Sequence, residues 1–415
     1  MKKVGFITLG CRVNQYESNA LAEAFRRAGW EIGGQDDDCD LYVVNTCAVT
    51  AESERKSRQM IRRAAALAPV AVVGCASQLD PERIKAIPGV VFVGGCRDKD
   101  AVLSPERFAG FDMSYCSYGS LKVDGSEDLF SSCRAFVKIE DGCPNACSYC
   151  IIPTVRGPAR SRDIVDIISE CERLTAAGYS ELVLTGIEVS AYDRAPLSEL
   201  VSRVSQVKGI RRLRIGSLTP TAVTPELLKS MRESGSFCPH IHLSLQSGCS
   251  RILALMKRKY NREQADERMA MIREYLPEAQ ISADIICGFP TETEQEFYQT
   301  VDMCVSGRFL HVHSFPYSPR PGTPAAAMDG QVDPGERKRR NDILINRASE
   351  VRDAILRQKI GKTAEILIEK CVSGICSGHT SDFAECSFAG NGRAGDYVTV
   401  NIIGHKNGIL KGETI

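Results

Sequence analysis

Apolar and polar positions along the chain recur in two series of strands and helices. Over residues 1–111 the apolar runs VGFITLG, LYVVNT, PVAVVG and VVFVGG alternate with helical stretches, NQYESNALAEAFRRAG and a second from Thr50 through Ala68. Leu21, Ala24, Phe25 and Ala28 fall on one helical face. Strands alternating with helices imply a parallel sheet covered on both sides, a doubly wound α/β domain. Residues 112–132 are rich in Ser, Gly and Asp without periodicity, which marks a linker. The second series fills residues 133–358 with the runs RAFVKIE, ELVLTG, RRLRIGS, HIHLSLQS, ISADIICG and FLHVHSF, separated by helical stretches such as IVDIISECERLTAA and NREQADERMAMIREYL. Six such units predict an incomplete (β/α)6 version of the eightfold barrel, with its active site at the carboxyl ends of the strands. A charged helix from about Asp333 to Gly361 leads into residues 359–415, where EILIEKC, SDFAECSF, YVTVNIIG and GILKG alternate with Gly-containing turns. That pattern reads as a small antiparallel β-barrel.

Composition narrows the setting. The 415 residues exceed what one hydrophobic core usually supports. Eighteen cysteines, with no apolar leader and no long uncharged run, point to a reducing cytoplasm and no membrane span. There, cysteines serve as metal ligands, reactive thiols or buried small hydrophobes rather than disulfides. Lys plus Arg (52) balances Asp plus Glu (52), so any basic patch is local. Even the last segment, from Lys359, has six basic and six acidic side chains.

The stretch EDGCPNACSYCIIP carries the chemistry. Cys143, Cys147 and Cys150 crowd one loop with no fourth cysteine close behind, unlike a zinc knuckle, which brings paired cysteines from two loops. On a four-iron four-sulfur cluster, three thiolates leave one iron open to a small molecule, and S-adenosylmethionine is the cofactor linked to such radical chemistry. Cys11, Cys47 and Cys75 each follow an apolar run by one or two residues. At the carboxyl edge of one parallel sheet they jointly suggest a second cluster, though each alone reads rather as a structural cysteine. Cys96 follows VVFVGG in the same way and competes with Cys75 by position. Arg156, Arg160 and Arg162, in TVRGPARSR, suit phosphate contacts or a solvated basic loop. RKSRQMIRR, KRKYNR and ERKRR read as exposed helix faces.

With these motifs in place, the chain resembles the radical S-adenosylmethionine methylthiotransferases over nearly its whole length. LGCRVNQYES, VVNTCAVT and VGCASQ resemble the family's amino-terminal domain. DGCPNACSYCIIP, RGPARSR, TGIE, RIGSLTP, HLSLQSG, ADIICGFPTET and SFPYSPRPGTPAA resemble its centre, and SGHTSDFAECSF its TRAM domain, which binds RNA. GCRVNQYES and SPRPGTPAA are most similar to the branch that methylthiolates C2 of N6-threonylcarbamoyladenosine at position 37 of tRNA. Neighbouring branches act on isopentenyladenosine in tRNA or on an aspartate of a ribosomal protein. The resemblance implies two 4Fe–4S clusters: Cys143, Cys147 and Cys150 with S-adenosylmethionine, and Cys11, Cys47 and Cys75 with the sulfur to be transferred. It also implies a tRNA substrate and an electron donor such as a flavodoxin or ferredoxin. The motif GCASQ picks Cys75 over Cys96 as the third auxiliary ligand.

Tyr149, Gly186, Glu188, Ser217 and Gln246 are further candidates for cofactor contacts. Tyr149 offers an aromatic face beside the cluster, Gly186 lets a ligand approach the backbone, and Ser217 and Gln246 stand at strand ends; each reads equally as packing, turn or strand cap. Glu188 departs from the branch, where histidine is common. Two other classes compete. A cobalamin-dependent radical enzyme would often place a histidine in the amino domain, yet all six histidines follow residue 239. A non-enzymatic iron-sulfur RNA-binding protein would leave the open ligand position without purpose.

Overall fold

The computed structural model describes residues 2–97, 99–102 and 133–415. The expected linker, 112–132, lies outside the described residues.

Five parallel strands come first: β1 (Lys3–Thr8), β2 (Glu31–Gly33), β3 (Leu41–Thr46), β4 (Val70–Gly74) and β5 (Val90–Val93), in the order β2-β1-β3-β4-β5. Strand alternation sorts their side chains between two faces. Val4, Phe6, Val43, Ala71 and Val73 meet Leu21 and Phe25 of helix α1 (Arg12–Arg27) on one side. Ile7, Tyr42, Val44, Val70 and Val72 meet Ile61 and Ala64 of α2 (Ala51–Ala65) on the other. Each large side chain so buried contributes about 1.5–3 kcal/mol. The doubly wound sheet expected from the apolar pattern is therefore present. Helix α2 begins at Ala51 because Thr50 and Ser53 form a reciprocal capping box.

Six more parallel strands form two half-sheets. The order β10-β9-β6 unites β6 (Ala135–Lys138), β9 (Glu181–Thr185) and β10 (Arg212–Ile215). The order β11-β12-β13 unites β11 (His240–Gln246), β12 (Gln280–Cys287) and β13 (Phe309–Pro316). Isolated bridges, Leu213 to Phe237 and Leu218 to Leu243, join the halves, which leaves β6 and β13 as the two edges of an open barrel. Val137, Leu182, Leu184, Leu213, Leu243 and Ile285 pack outward on the surrounding helices. The alternate positions are polar, among them Lys138, Glu181, Arg214, His242 and Asp284, so the barrel interior is hydrophilic. Between β6 and β9 lies a short antiparallel ribbon of β7 (Glu140–Asp141) and β8 (Arg160–Ser161).

Helix Pro334–Arg357, capped by Asp333, packs along β13 and delivers Ile355 and Leu356 to the last core. There β14 (Thr363–Val372), β15 (Ile375–Thr380), β16 (Glu385–Ala389), β17 (Tyr397–Lys406) and β18 (Ile409–Thr414) close a barrel in the order β14-β15-β16-β18-β17. Its cysteines correct one expectation. Cys371 and Cys376 form a disulfide, because the β14–β15 register sets them directly opposite each other. This barrel docks on the amino-terminal ends of the large barrel's strands. Arg212 donates to the carbonyls of Glu365 and His379, and Arg214 to that of Thr380.

Candidate active site

The Cys143–Cys150 loop leaves β7 at Gly142, whose φ of +89° suits glycine. A Cβ there would meet the Pro158 carbonyl oxygen at 2.1 Å, so no other residue fits. Backbone and side chain of Ser148 pin the loop: its N–H donates to the Met256 carbonyl at 3.1 Å and its hydroxyl to that of Leu255 at 2.7 Å. All three thiols are half-buried beyond the carboxyl end of the first barrel strand, as the barrel reading requires. Burial pushes Cys143 up to about 11 and Cys150 up to about 12. Metal binding there must therefore displace protons. The Arg258 guanidinium donates to Cys147 Sγ at 3.3 Å.

Beside this loop opens a cavity of about 200 Å³, lined by Asn145, Cys147, Glu188, Thr219, Arg258 and Tyr260. Asn145 donates to the Glu188 carboxylate at 3.0 Å, and Glu188 N–H donates to Glu140 at 2.8 Å. A carboxylate, an amide, hydroxyls and a guanidinium around one thiol suit a zwitterionic amino-acid group. Glu188 therefore stands at the cavity. Tyr149 packs instead against Met256, Phe289 and Tyr317. Gly186 is a glycine for a reason the sequence hides: a Cβ would lie 2.6 Å from Glu140 Oε2. Burial raises that Glu140 carboxyl to about 8. Ser217 is half-buried just past β10, and Gln246 is buried at the end of β11 with φ +64°; neither lines the cavity. Arg258 and Tyr260 were missed because only the fold brings them to Cys147; Asn145, two residues from Cys147 in sequence, shows its part only through its bond to Glu188.

The second thiol set gathers at the sheet edge. Cys47 and Cys75 directly follow β3 and β4, whereas Cys11 stands three residues beyond β1, as the residue before α1. Gly10, at φ +96°, leaves room for Cys47, since a Cβ would lie 2.7 Å from its Sγ. Burial raises both Cys11 and Cys47, and the neighbouring Cys75 raises each further. Cys96 Sγ lies 3.7 Å from Cys75 Sγ. That hydrogen bond, helped by Arg156 and Lys99, lowers Cys75 against the push of burial; the same bond, helped by burial, raises Cys96. Among the described residues no three His, Cys, Asp or Glu side chains form a group that could hold a metal ion as they stand.

The arginine segment behaves differently from the phosphate-binding expectation. Arg156 is fully buried, and Nη1 donates to Glu17 and Asp141, each at 2.9 Å. Nη2 donates to Asn14 at 2.8 Å and Glu17 at 3.0 Å, and Nε to Cys75 Sγ at 3.4 Å. Burial pushes Glu17 up, yet Arg156, Lys99 and Lys138 hold it well below the usual carboxylate range. Arg162 is likewise internal, on Glu170, Tyr16 and the Lys138 carbonyl. Only Arg160 is exposed. Arg156 thus ties the sheet domain to the barrel, six residues beyond Cys150 and in contact with Cys75.

An open six-stranded parallel barrel with three thiols on the loop after its first strand is the architecture of the radical S-adenosylmethionine enzymes. The Radical SAM superfamily model matches residues 137–304, and that of "Uncharacterized protein family UPF0004" matches residues 3–95. The chain is 36% identical to a Bacillus subtilis protein named threonylcarbamoyladenosine tRNA methylthiotransferase MtaB, over 94% of this chain and 91% of that one. It is 34% identical to a Thermotoga maritima protein of the same name (97% and 94% covered). It is 31% identical to an Aquifex aeolicus tRNA-2-methylthio-N(6)-dimethylallyladenosine synthase (100% and 99% covered). The chain belongs to the radical S-adenosylmethionine tRNA methylthiotransferases, a family of transferases that use S-adenosylmethionine and a 4Fe–4S cluster. Among solved structures, the radical S-adenosylmethionine methyltransferase TsrM from Kitasatospora setae, with cobalamin and a 4Fe–4S cluster bound, superposes with a TM-score of 0.57 at 15% identity. That match covers 91% of this chain and 81% of that one, and it is a likeness of fold alone. No helix among the described residues is long and apolar enough to cross a membrane.

Proposed function

We propose that this chain methylthiolates C2 of N6-threonylcarbamoyladenosine at position 37 of tRNA. The observation that carries the reading is three thiols on the loop after the first barrel strand and three more cysteines at the edge of the sheet domain, with Arg156, six residues beyond Cys150, 3.4 Å from Cys75 Sγ. Cys143, Cys147 and Cys150 would hold the central 4Fe–4S cluster, with S-adenosylmethionine in the cavity between Asn145, Glu188 and Thr219. Cys11, Cys47 and Cys75 would hold an auxiliary 4Fe–4S cluster, with Cys96 outside the ligand set. When bound, these groups supply the one-electron chemistry and the sulfur that an unactivated adenine C–H bond requires. The protein's own contribution is positional: Arg156 and Glu17 fix one thiol set against the other, and Arg258 orients Cys147. Residues 1–111, 133–358 and 359–415 would act as cluster-bearing, catalytic and RNA-binding TRAM units. Reduction by a flavodoxin or ferredoxin in the cytoplasm completes the reading. Choice of the threonylcarbamoyl substrate rests on similarity to proteins of that name; isopentenyladenosine is the second reading, supported by the Aquifex relative.

The test is mass spectrometry of tRNA nucleosides from a strain lacking this protein. The 2-methylthio derivative of N6-threonylcarbamoyladenosine should vanish and its unthiolated parent accumulate. Loss of the isopentenyl derivative instead would move the chain to the neighbouring branch, and an unchanged profile would remove the function.

A further inference from the structure

We infer that Arg12 is the receptor for the carboxylate on the N6 substituent of the target adenosine, and so sets which adenosine is modified. The inference rests on the proposed function and deepens it. Arg12 opens helix α1 immediately after Cys11. That helix packs on β6, one edge of the open barrel. The guanidinium carbon lies 6.0 Å from the ring centre of Phe136, on β6. Its charge bears on Asp284 and Glu181 and disfavours protonation of His240 and His313, residues of β9, β11, β12 and β13. Arg12 therefore reaches into the barrel interior from its open side, and its side chain remains exposed there.

Other interior guanidiniums are committed. Arg134 and Arg214 each pair with Glu181, at 2.7 and 2.9 Å, and Arg212 pairs with Glu365 at 3.2 Å. Arg12 has no hydrogen bond or ion pair among the described residues. A guanidinium with no direct hydrogen bond, facing a polar barrel interior, is suited to a planar oxyanion, which it meets with two parallel hydrogen bonds. Close by, His242 Nε2 stands 3.0 Å from Asp284 Oδ1, and the His242 and His313 rings stack at 5.2 Å. These side chains offer partners to a hydroxyl or a urea.

The chemistry of the base selects the ligand. C2 and N6 of adenine flank N1 on one edge. When C2 faces a cluster held by Cys11, the N6 substituent comes to the adjoining residue. Threonylcarbamoyl carries a carboxylate there, whereas isopentenyl is wholly apolar and would leave the cation unpaired.

The test uses the reconstituted protein without reductant and three anticodon stem-loops of one sequence. They carry N6-threonylcarbamoyladenosine, the same group lacking its carboxylate, or plain adenosine. Phosphates are identical in all three, so the ratio of dissociation constants isolates the carboxylate. Wild type should favour the first RNA over the second at least about tenfold, and Arg12→Gln should bring that ratio near one. A wild-type ratio near one, or a ratio that survives Arg12→Gln, overturns the inference. Iron content is measured alongside. If Arg12→Gln loses iron, the ratio is read on Arg12→Lys, which replaces the fork by a point charge; a several-fold drop is then expected, and none overturns the inference. Turnover by wild type, with reductant supplied and a fourth stem-loop carrying isopentenyladenosine added, separates the two levels. Thiolation of only isopentenyl RNA defeats the proposed function, whereas thiolation of threonylcarbamoyl RNA with an Arg12-independent ratio defeats only this assignment.

Discussion

Every acceptor of the Arg156 side chain described above lies outside its own short helix, and two of them, Glu17 and Asn14, are about 140 positions away in sequence. This explains why the sequence misleads here. An arginine in a Gly- and Pro-containing loop carries no local sign that its counter-ion lies on α1. Five of the proposed ligand cysteines are suggested by local properties, spacing for Cys143, Cys147 and Cys150 and strand-end position for Cys11 and Cys47, whereas Cys75 is told from Cys96 only by its motif. Glu140, behind Gly186, left no such trace. Breaking a buried ion pair by removing one partner costs about 3–5 kcal/mol. Arg156→Gln should therefore destabilise the protein by roughly that amount, and Arg156→Lys by less, as read from denaturant midpoints with iron content recorded. A loss below about 1 kcal/mol would mean the cluster of charges is not a structural tie.

At the scale of elements, the apolar periodicity locates β1, β3, β4, β5 and the six barrel strands, since buried strands must be apolar or alternate, but it passes over the three-residue β2 and the short β7–β8 ribbon, which are too brief to show a period. Boundaries move by a residue or two, as with α1 beginning at Arg12 rather than Asn14. What periodicity cannot express is how elements dock. The junction between the two barrels is built on Phe383, stacked on His240 and His379, each with ring centres 4.7 Å apart, and edge-on to His311. Burial pushes His311 down to about 4 and His240 well below the ordinary histidine range; the guanidiniums of Arg214 and Arg12 act on His240, and that of Arg352 on His311, in the same direction. Both must stay neutral in the folded protein. Below pH 6.5 the unfolded chain takes up protons that the native state refuses, so stability is lost as pH falls from about 6.5 toward about 4. Calorimetry at pH 7.5 and pH 5 should show a smaller acid shift for His311→Gln, which keeps a donor toward the Phe383 carbonyl but cannot ionise in this range. An identical shift in both proteins would contradict this source of acid sensitivity.

On the scale of the whole molecule, the proposed function divides one reaction between two thiol sets in separate units. Radical generation would belong to the barrel and sulfur delivery to the sheet domain, with Arg156 between them. The proposal of two sets comes from the sequence, where they lie in different strand series. The sequence could not reveal the junction, which depends on the fold of both. The most direct test reconstitutes two variants, one with Cys11, Cys47 and Cys75 replaced by Ala and one with Cys143, Cys147 and Cys150 replaced by Ala. With threonylcarbamoyladenosine-containing tRNA, 5'-deoxyadenosine and methylthiolated nucleoside are then measured together. The first variant should still release 5'-deoxyadenosine and yield no methylthio product, and the second should give neither. Methylthiolated nucleoside from the first variant, or 5'-deoxyadenosine from the second, would contradict the division.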